Sequence, residues 1–222
     1  EVTNASSVQY QVTFAESVTG IDSSDFVLTG TGTATGQIAS TVGSGTNYTV
    51  TVTGLSGAGT LRLDLKASST GIVDMHGNAI VGGFTSGQVY TIDTLSPTIN
   101  SVTASSVDGT YGAGDLLAIK VHFGENVQVT GIPTLALSTG GMAVYGGGSG
   151  TNTLTFNYTV QAGEQATRLD YASTNALSLQ GGNIRDKAGN AAVLTLDAPA
   201  GAGSLASQAF LVVDGVSPAV AG

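Results

Sequence analysis

Apolar residues alternate with Thr, Gln, Lys or His along much of the chain, as in Val8-Gln9-Tyr10-Gln11-Val12-Thr13-Phe14 and Leu117-Ala118-Ile119-Lys120-Val121-His122-Phe123. A period of two places one face of a strand in a core and the other in water. The same alternation runs through Tyr48-Thr49-Val50-Thr51-Val52-Thr53 and Leu154-Thr155-Phe156-Asn157-Tyr158-Thr159-Val160. Clusters such as Gly54-Leu55-Ser56-Gly57-Ala58-Gly59 and Gly146-Gly147-Gly148-Ser149-Gly150 separate the strands, and no clear helical stretch interrupts them. Short strands divided by turns predict an all-β chain built as sandwiches of two antiparallel sheets.

Five anchors recur in the same order in the two halves. Val12-Thr13-Phe14-Ala15-Glu16 answers Val121-His122-Phe123-Gly124-Glu125, and the alternating strands around Val50 and Phe156 follow. Arg62-Leu63-Asp64 answers Arg168-Leu169-Asp170, and Asp74-Met75-His76-Gly77-Asn78-Ala79 answers Asp186-Lys187-Ala188-Gly189-Asn190-Ala191. Thr91-Ile92-Asp93-Thr94-Leu95-Ser96-Pro97 and Val212-Val213-Asp214-Gly215-Val216-Ser217-Pro218 close the units. Two tandem domains follow, 1–94 and 95–216, with 217–222 as the start of a further linker. Thr98-Ile99-Asn100-Ser101-Val102-Thr103 precedes the Val121 anchor, and too few residues precede Val12 for a counterpart. The first domain is therefore expected to lack its first strand. The unpaired edge so left is expected to borrow a strand from a neighbouring chain, giving a strand-swapped homo-oligomer.

Composition narrows the function. The chain of 222 residues holds 33 Gly, no Cys and no Trp, and its net charge of −9 leaves only 6 Lys and Arg. Disulfides and thiolate metal sites are excluded. A cationic patch for nucleic acid or anionic lipid is not expected. No apolar run approaches the roughly 20 residues of a bilayer span, and the N-terminus lacks a signal-peptide layout. A soluble, excised segment without membrane insertion is expected.

Asn4-Ala5-Ser6-Ser7-Val8-Gln9-Tyr10-Gln11-Val12-Thr13-Phe14-Ala15-Glu16-Ser17-Val18-Thr19-Gly20, followed by Asp25-Phe26, resembles a repeat of the bacterial immunoglobulin-like modules of very large secreted and adhesin-type proteins. The second half resembles a sister type through Tyr111-Gly112-Ala113-Gly114-Asp115, Phe123-Gly124-Glu125, Gly163-Glu164 and Ile184-Arg185-Asp186-Lys187-Ala188-Gly189-Asn190-Ala191. The resemblance implies two immunoglobulin-like sandwiches joined end to end, in an extended bacterial cell-surface rod whose neighbouring repeats are its partners. It also implies cadherin-like calcium at module junctions. Met75-His76 and Gly124 depart from the usual small residues without removing a carboxylate.

Calcium takes six to eight oxygen ligands, which loops at a domain end can supply. Glu16, Asp74 and Asp93 are the acidic members of three anchors, and Glu125, Asp186 and Asp214 are their counterparts. Each trio is expected to meet at one pole of its sandwich, with Asp108 and Asp115 as partners across the first junction. The alternative reading makes Asp74 and Asp186 turn residues, since Asp-x-x-Gly-Asn suits an Asx turn. Asp22-Ser23-Ser24-Asp25 lacks the remaining ligands of a calcium loop and reads as a solvated loop. Arg62-Asp64 and Arg168-Asp170 read as surface pairs worth at most about 1 kcal/mol each.

Catalysis is not expected. His76 and His122 occupy non-equivalent places, and His122 falls on the outward phase of its strand. Gly146–Gly150 lacks the Lys-Ser or Lys-Thr of a phosphate loop, and no nucleophile elbow is present. Two roles remain: a calcium-stiffened structural spacer, or an adhesive module binding a glycan or host protein through Tyr111 or Tyr145.

Overall fold

The computed structural model describes residues 2–219, and the chain divides into two compact units after Leu95. The first contains β1 (Val2–Thr3), β2 (Ser7–Thr19), β3 (Phe26–Gly30), β4 (Thr35–Ser56), β5 (Ala58–Leu65), β6 (Val73–Asp74) and β7 (Val89–Asp93). They form two sheets, β1-β7-β5-β3 and β4-β2-β6. Straight, the 22 residues of β4 would span roughly 70 Å. Thr35 Oγ1 and Ser56 Oγ nevertheless lie 2.7 Å apart. The segment therefore doubles back, and Gly45, with φ of 65°, supplies the left-handed backbone the turn needs.

Alternation decides what the sheets bury. Val8 and Tyr10 of β2, Val50 and Val52 of β4, Leu61 and Leu63 of β5 and Ile92 of β7 form one core. Because both sheets contribute, they pack face to face in a sandwich-like arrangement.

The second unit contains β8 (Ile99–Ala104), β9 (Gly109–Tyr111), β10 (Leu116–Thr130), β11 (Thr134–Ala136), β12 (Met142–Gly147), β13 (Thr151–Thr159), β14 (Gln165–Ala166), β15 (Leu177–Ser178), β16 (Asn183–Arg185) and β17 (Leu211–Asp214). Its larger sheet runs β15-β11-β12-β13-β10-β16 with β8 also on β10, and its smaller sheet runs β14-β17-β9. Ile119, Val121, Phe156 and Leu135 of the larger sheet share a core with Leu211 and Val213 of the smaller. One helical turn, α1 (Leu205–Gln208), capped by Ser204, breaks the all-strand expectation. Its four residues lie in a loop stretch where the sequence carries no 3.6-residue period.

The duplication reappears as strand pairing. β1 pairs parallel with β7, and β9 with β17. β2 lies between β4 and β6, as β10 lies beside β13 and β16. Both long strands carry an enlarged bulge at the same anchor. Partners move from Thr13↔Asn47 to Val18↔Gly45 in one unit, and from His122↔Thr153 to Val127↔Thr151 in the other. A bulge re-aims the side chains it contains, and here it contains Glu16 and Glu125.

Three buried tyrosines join segments of the chain through their hydroxyls. Tyr10 donates to Leu61 O at 2.8 Å, Tyr158 to Glu164 Oε2 at 2.6 Å and Tyr171 to Asp197 O at 2.7 Å. Burial pushes each phenol up to about 12. A raised folded-state pKa means stability present below the ordinary value of about 10 and lost as pH climbs to the folded value. Alkaline unfolding is expected between pH of about 10 and 12, with tyrosinate absorbance rising together with the loss of strand circular dichroism. Ionisation completed at lower pH, before any loss of structure, would contradict these burials.

Candidate functional site

The acids that recur at the ends of the repeats are the strongest chemical feature, and each unit positions them by the same local rules. In β6, Asp74 Oδ1 accepts the N–H groups of His76 and Asn78, both at 2.8 Å, and Oδ2 accepts Asn78 Nδ2 at 2.8 Å. Gly77, with φ of 83°, lets the loop close. Those hydrogen bonds, the Asn78 side chain's foremost, hold the Asp74 carboxyl below the usual carboxylate range. Asp186 repeats the arrangement, accepting Gly189 N at 2.6 Å, Asn190 N at 2.8 Å and Asn190 Nδ2 at 2.6 Å. The Asx-turn role is thus fulfilled in both loops. Each carboxylate oxygen has more than one lone pair, so a further ligand is not excluded by it.

The bulges bring the glutamates to these loops. Val18, two residues after Glu16, is the Cα partner of Asp74, and Glu16 and Asp74 line one depression of about 360 Å³. In the second unit, carboxylate oxygens of half-buried Glu125 and buried Asp186 approach within 4.8 Å. This pair lies where the chain enters the unit: Gly124 N donates to Thr98 O at 2.9 Å, and Val193 N to Pro97 O at 2.8 Å.

The third acid of each trio lies elsewhere, which corrects the one-pole expectation. Asp93 is the Cα partner of Ala58 at the β4–β5 turn. That turn adjoins the start of β2, since Leu55 N donates to Ser6 O at 3.3 Å. Glu16 is at the other end of β2, roughly 30 Å away along an extended strand. Asp93 Oδ1 accepts Leu95 N at 3.2 Å, and Asp214 Oδ1 accepts Val216 N at 3.3 Å in the matching turn. Asp214 pairs with Gln165, again away from Glu125. The reason is strand direction: β2 and β10 each cross their sandwich, so their late residues and the exit strands end at opposite poles.

Asp108 and Asp115 take structural roles. Asp108 Oδ1 accepts Phe210 N at 2.8 Å, joining the starts of β9 and β17, and Asp115 Oδ2 accepts Gly112 N at 2.8 Å. Asp115 precedes β10, so most of that strand separates it from Glu125. Neither is brought to the Glu125–Asp186 pair within the second unit.

No protein-family model and no curated protein matches this chain.

Other expectations change with the packing. Asp25 is buried, not solvated: it accepts Asp22 N at 2.8 Å while Asp22 accepts Ser24 N at 2.7 Å, capping a short 3₁₀ turn. His122 is half-buried, with Nε2 2.8 Å from Thr103 Oγ1 and Nδ1 3.0 Å from Thr153 Oγ1, so it links β8, β10 and β13. Burial, with Lys120 nearby, lowers its pKa. Tyr111 donates to Val107 O at 2.6 Å, and Tyr145 OH accepts Ser149 N at 3.0 Å. Both hydroxyls are committed to the fold. The sequence reading also missed Asp197, which accepts Ala198 N at 2.9 Å and Gly203 N at 2.8 Å and organises an Ala- and Gly-rich loop.

The two Arg-x-Asp anchors diverge. Asp64 is buried and receives Arg62 Nε at 2.6 Å, Arg62 Nη2 at 2.9 Å and Thr29 Oγ1 at 2.6 Å. Asp170 instead accepts Tyr171 N and Ala200 N, while Arg168 lies over the Phe210 ring at 5.4 Å. The Arg62 hydrogen bonds hold the Asp64 carboxyl below its ordinary value. Its contribution is therefore present above pH of about 4 and lost as pH falls through the folded value. Asp64→Ala is expected to destabilise the first unit by about 1.5–3 kcal/mol in urea at neutral pH, and by progressively less in acid. A cost independent of pH would place the effect in packing instead.

Proposed function

We propose that this chain is a pair of immunoglobulin-like spacer repeats of a large secreted bacterial surface protein, stiffened by calcium where one repeat hands over to the next. The observation that carries the calcium reading is the Glu125–Asp186 pair, with oxygens within 4.8 Å beside the strand by which the chain enters the second unit. Asp93 precedes Thr98 by five residues, a stretch that spans at most about 18 Å. Asp93, which closes the first repeat, is the third carboxylate of this proposal. Three carboxylates, a carbonyl and water meet the oxygen demand of calcium, and calcium tolerates irregular loop geometry better than magnesium does.

Spacing, rather than catalysis or adhesion, suits the remaining surface. The two histidines are far apart in sequence and unlike in setting, and the hydroxyls of Tyr111 and Tyr145 are used internally. Among the described residues no helix is long and apolar enough to cross a membrane.

Small-angle scattering in EDTA and in millimolar calcium tests the stiffening. Calcium is expected to narrow the spread of overall dimensions while the circular dichroism of the strands stays unchanged. Superimposable scattering curves would sink the stiffened-spacer reading.

A further inference from the structure

The duplicated Arg-x-Asp anchor is closed in one unit and open in the other. In the first, Asp64 accepts Arg62 Nε at 2.6 Å and Nη2 at 2.9 Å, so the guanidinium is satisfied within the fold. In the second, Asp170 Oδ1 accepts Tyr171 N at 2.9 Å and Oδ2 accepts Ala200 N at 2.8 Å. Among the described residues Arg168 has neither an ion pair nor a side-chain hydrogen bond. Its guanidinium carbon lies 5.4 Å from the centre of the Phe210 ring. Contact with a ring uses the charge and flat face of a guanidinium and leaves its in-plane N–H donors for another partner.

An added loop separates Arg168 from its aspartate. The connection from Ala191 to β17 is longer than the one from Ala79 to β7, and it contributes Asp197, Ala200, α1 and Phe210. Ala200 has a φ of 62°, a left-handed conformation that a residue other than glycine keeps only where its surroundings impose it. Here Asp170 fixes the Ala200 N–H, and Asp197 accepts Ala198 N at 2.9 Å and Gly203 N at 2.8 Å. Arg168, Ala200, Ala206 and Ser207 line a pocket of about 270 Å³. That is just below the roughly 300–1,000 Å³ of sites for drug-sized ligands, so it suits a single ring.

The polar atoms of the pocket select the ligand. The Arg168 fork matches a carboxylate through two parallel hydrogen bonds. Ser207 Oγ donates its one proton to Gly201 O at 2.6 Å, which leaves it lone pairs for a ligand hydroxyl. The Asp170 carboxylate, bonded to Ala200 on the pocket wall, repels the additional charge that a phosphate or sulfate brings.

We propose that this pocket binds a carboxylate-bearing sugar residue, a hexuronate, with the carboxylate on Arg168 and a ring hydroxyl on Ser207 Oγ. Phe210 holds the guanidinium in place, and the Asp170–Ala200 and Asp197 hydrogen bonds keep the loop shaped before the ligand arrives. The second unit thus carries a saccharide site that the first, with Arg62 bound to Asp64, does not share.

The probe is galacturonate, titrated into the intact chain in EDTA so that no calcium bridges carboxylates, and followed by NMR at the Arg168 Nε–H and the backbone amides of residues 200–207. Saturable shifts confined to this loop and the Arg168–Phe210 contact are expected. Galactose lacks the carboxylate, acetate lacks the hydroxyls, and N-acetylaspartate methylamide presents the carboxylate of an acidic peptide. Each is expected to bind about tenfold more weakly or less, since none makes both polar contacts. Arg168→Gln, at an exposed position, is expected to abolish the shifts without altering amide signals elsewhere. Arg168→Lys keeps the charge but not the fork and is expected to weaken binding severalfold, as is Ser207→Ala. Absence of saturable shifts at tens of millimolar galacturonate, equal binding of any of the three controls, or undiminished binding by Arg168→Gln overturns the proposal.

Discussion

Millimolar calcium raises the thermal midpoint of the second unit by several degrees over its value in excess EDTA, and magnesium at the same concentration does not. A ligand that binds only the folded state stabilises by mass action, and calcium at ten times its dissociation constant adds about 1.4 kcal/mol. For a domain of this size that is a shift of roughly 4 °C. Asp93→Ala and Glu125→Gln are expected to cancel most of the gain, because each removes a charged ligand of the proposed site. Asp22→Ala is the useful contrast. It removes a cap from the 3₁₀ turn of the first unit and lowers that unit's stability while leaving the calcium response intact. A midpoint that calcium leaves unmoved, or that magnesium raises equally, removes calcium from the account and leaves a plain spacer.

The second large effect is expected from Phe156→Ala. Phe156 is fully buried in the core of the second unit and meets Tyr145 edge-on at 6.0 Å. Truncating a buried Phe loses its transfer free energy and leaves a cavity, about 3–5 kcal/mol in all. The melting transition of the second unit is expected to fall by roughly 10 °C or more. That of the first unit should stay in place, since its core draws only on residues between Val8 and Ile92. Calorimetry separates the two outcomes: a joint fall of both transitions would mean that the units do not unfold independently.

Corresponding anchors with the same residues ended in different surroundings, and the differences have physical causes. Asp64 lies on the eight-residue strand β5, opposite Val27 of β3, where Thr29 of that strand and Arg62 of its own hydrogen-bond to it. Its counterpart Asp170 follows the two-residue strand β14. There the chain has left the sheet before Arg168, so the arginine stacks on Phe210 and the aspartate turns to backbone N–H groups. His122 has the outward phase that alternation assigns it, yet Thr103 and Thr153 from the flanking strands cover it. Phase is a property of one strand, whereas exposure depends on what lies beside it.

By itself the sequence determined the all-β class, the duplication, the division near Leu95, the main strands and the Asp-x-x-Gly-Asn loops, because period-two alternation and turn residues act over a few neighbours. Only the tertiary structure decided that Glu16 and Asp74 line one depression and that Glu125 approaches Asp186, while Asp93 and Asp214 lie at the opposite ends of their units. It alone showed the cavity lined by Tyr10, Val12 and Phe14 along β2. These are consequences of strand direction, bulge position and partner choice, which depend on pairings between residues distant in the chain and leave no periodic trace in it.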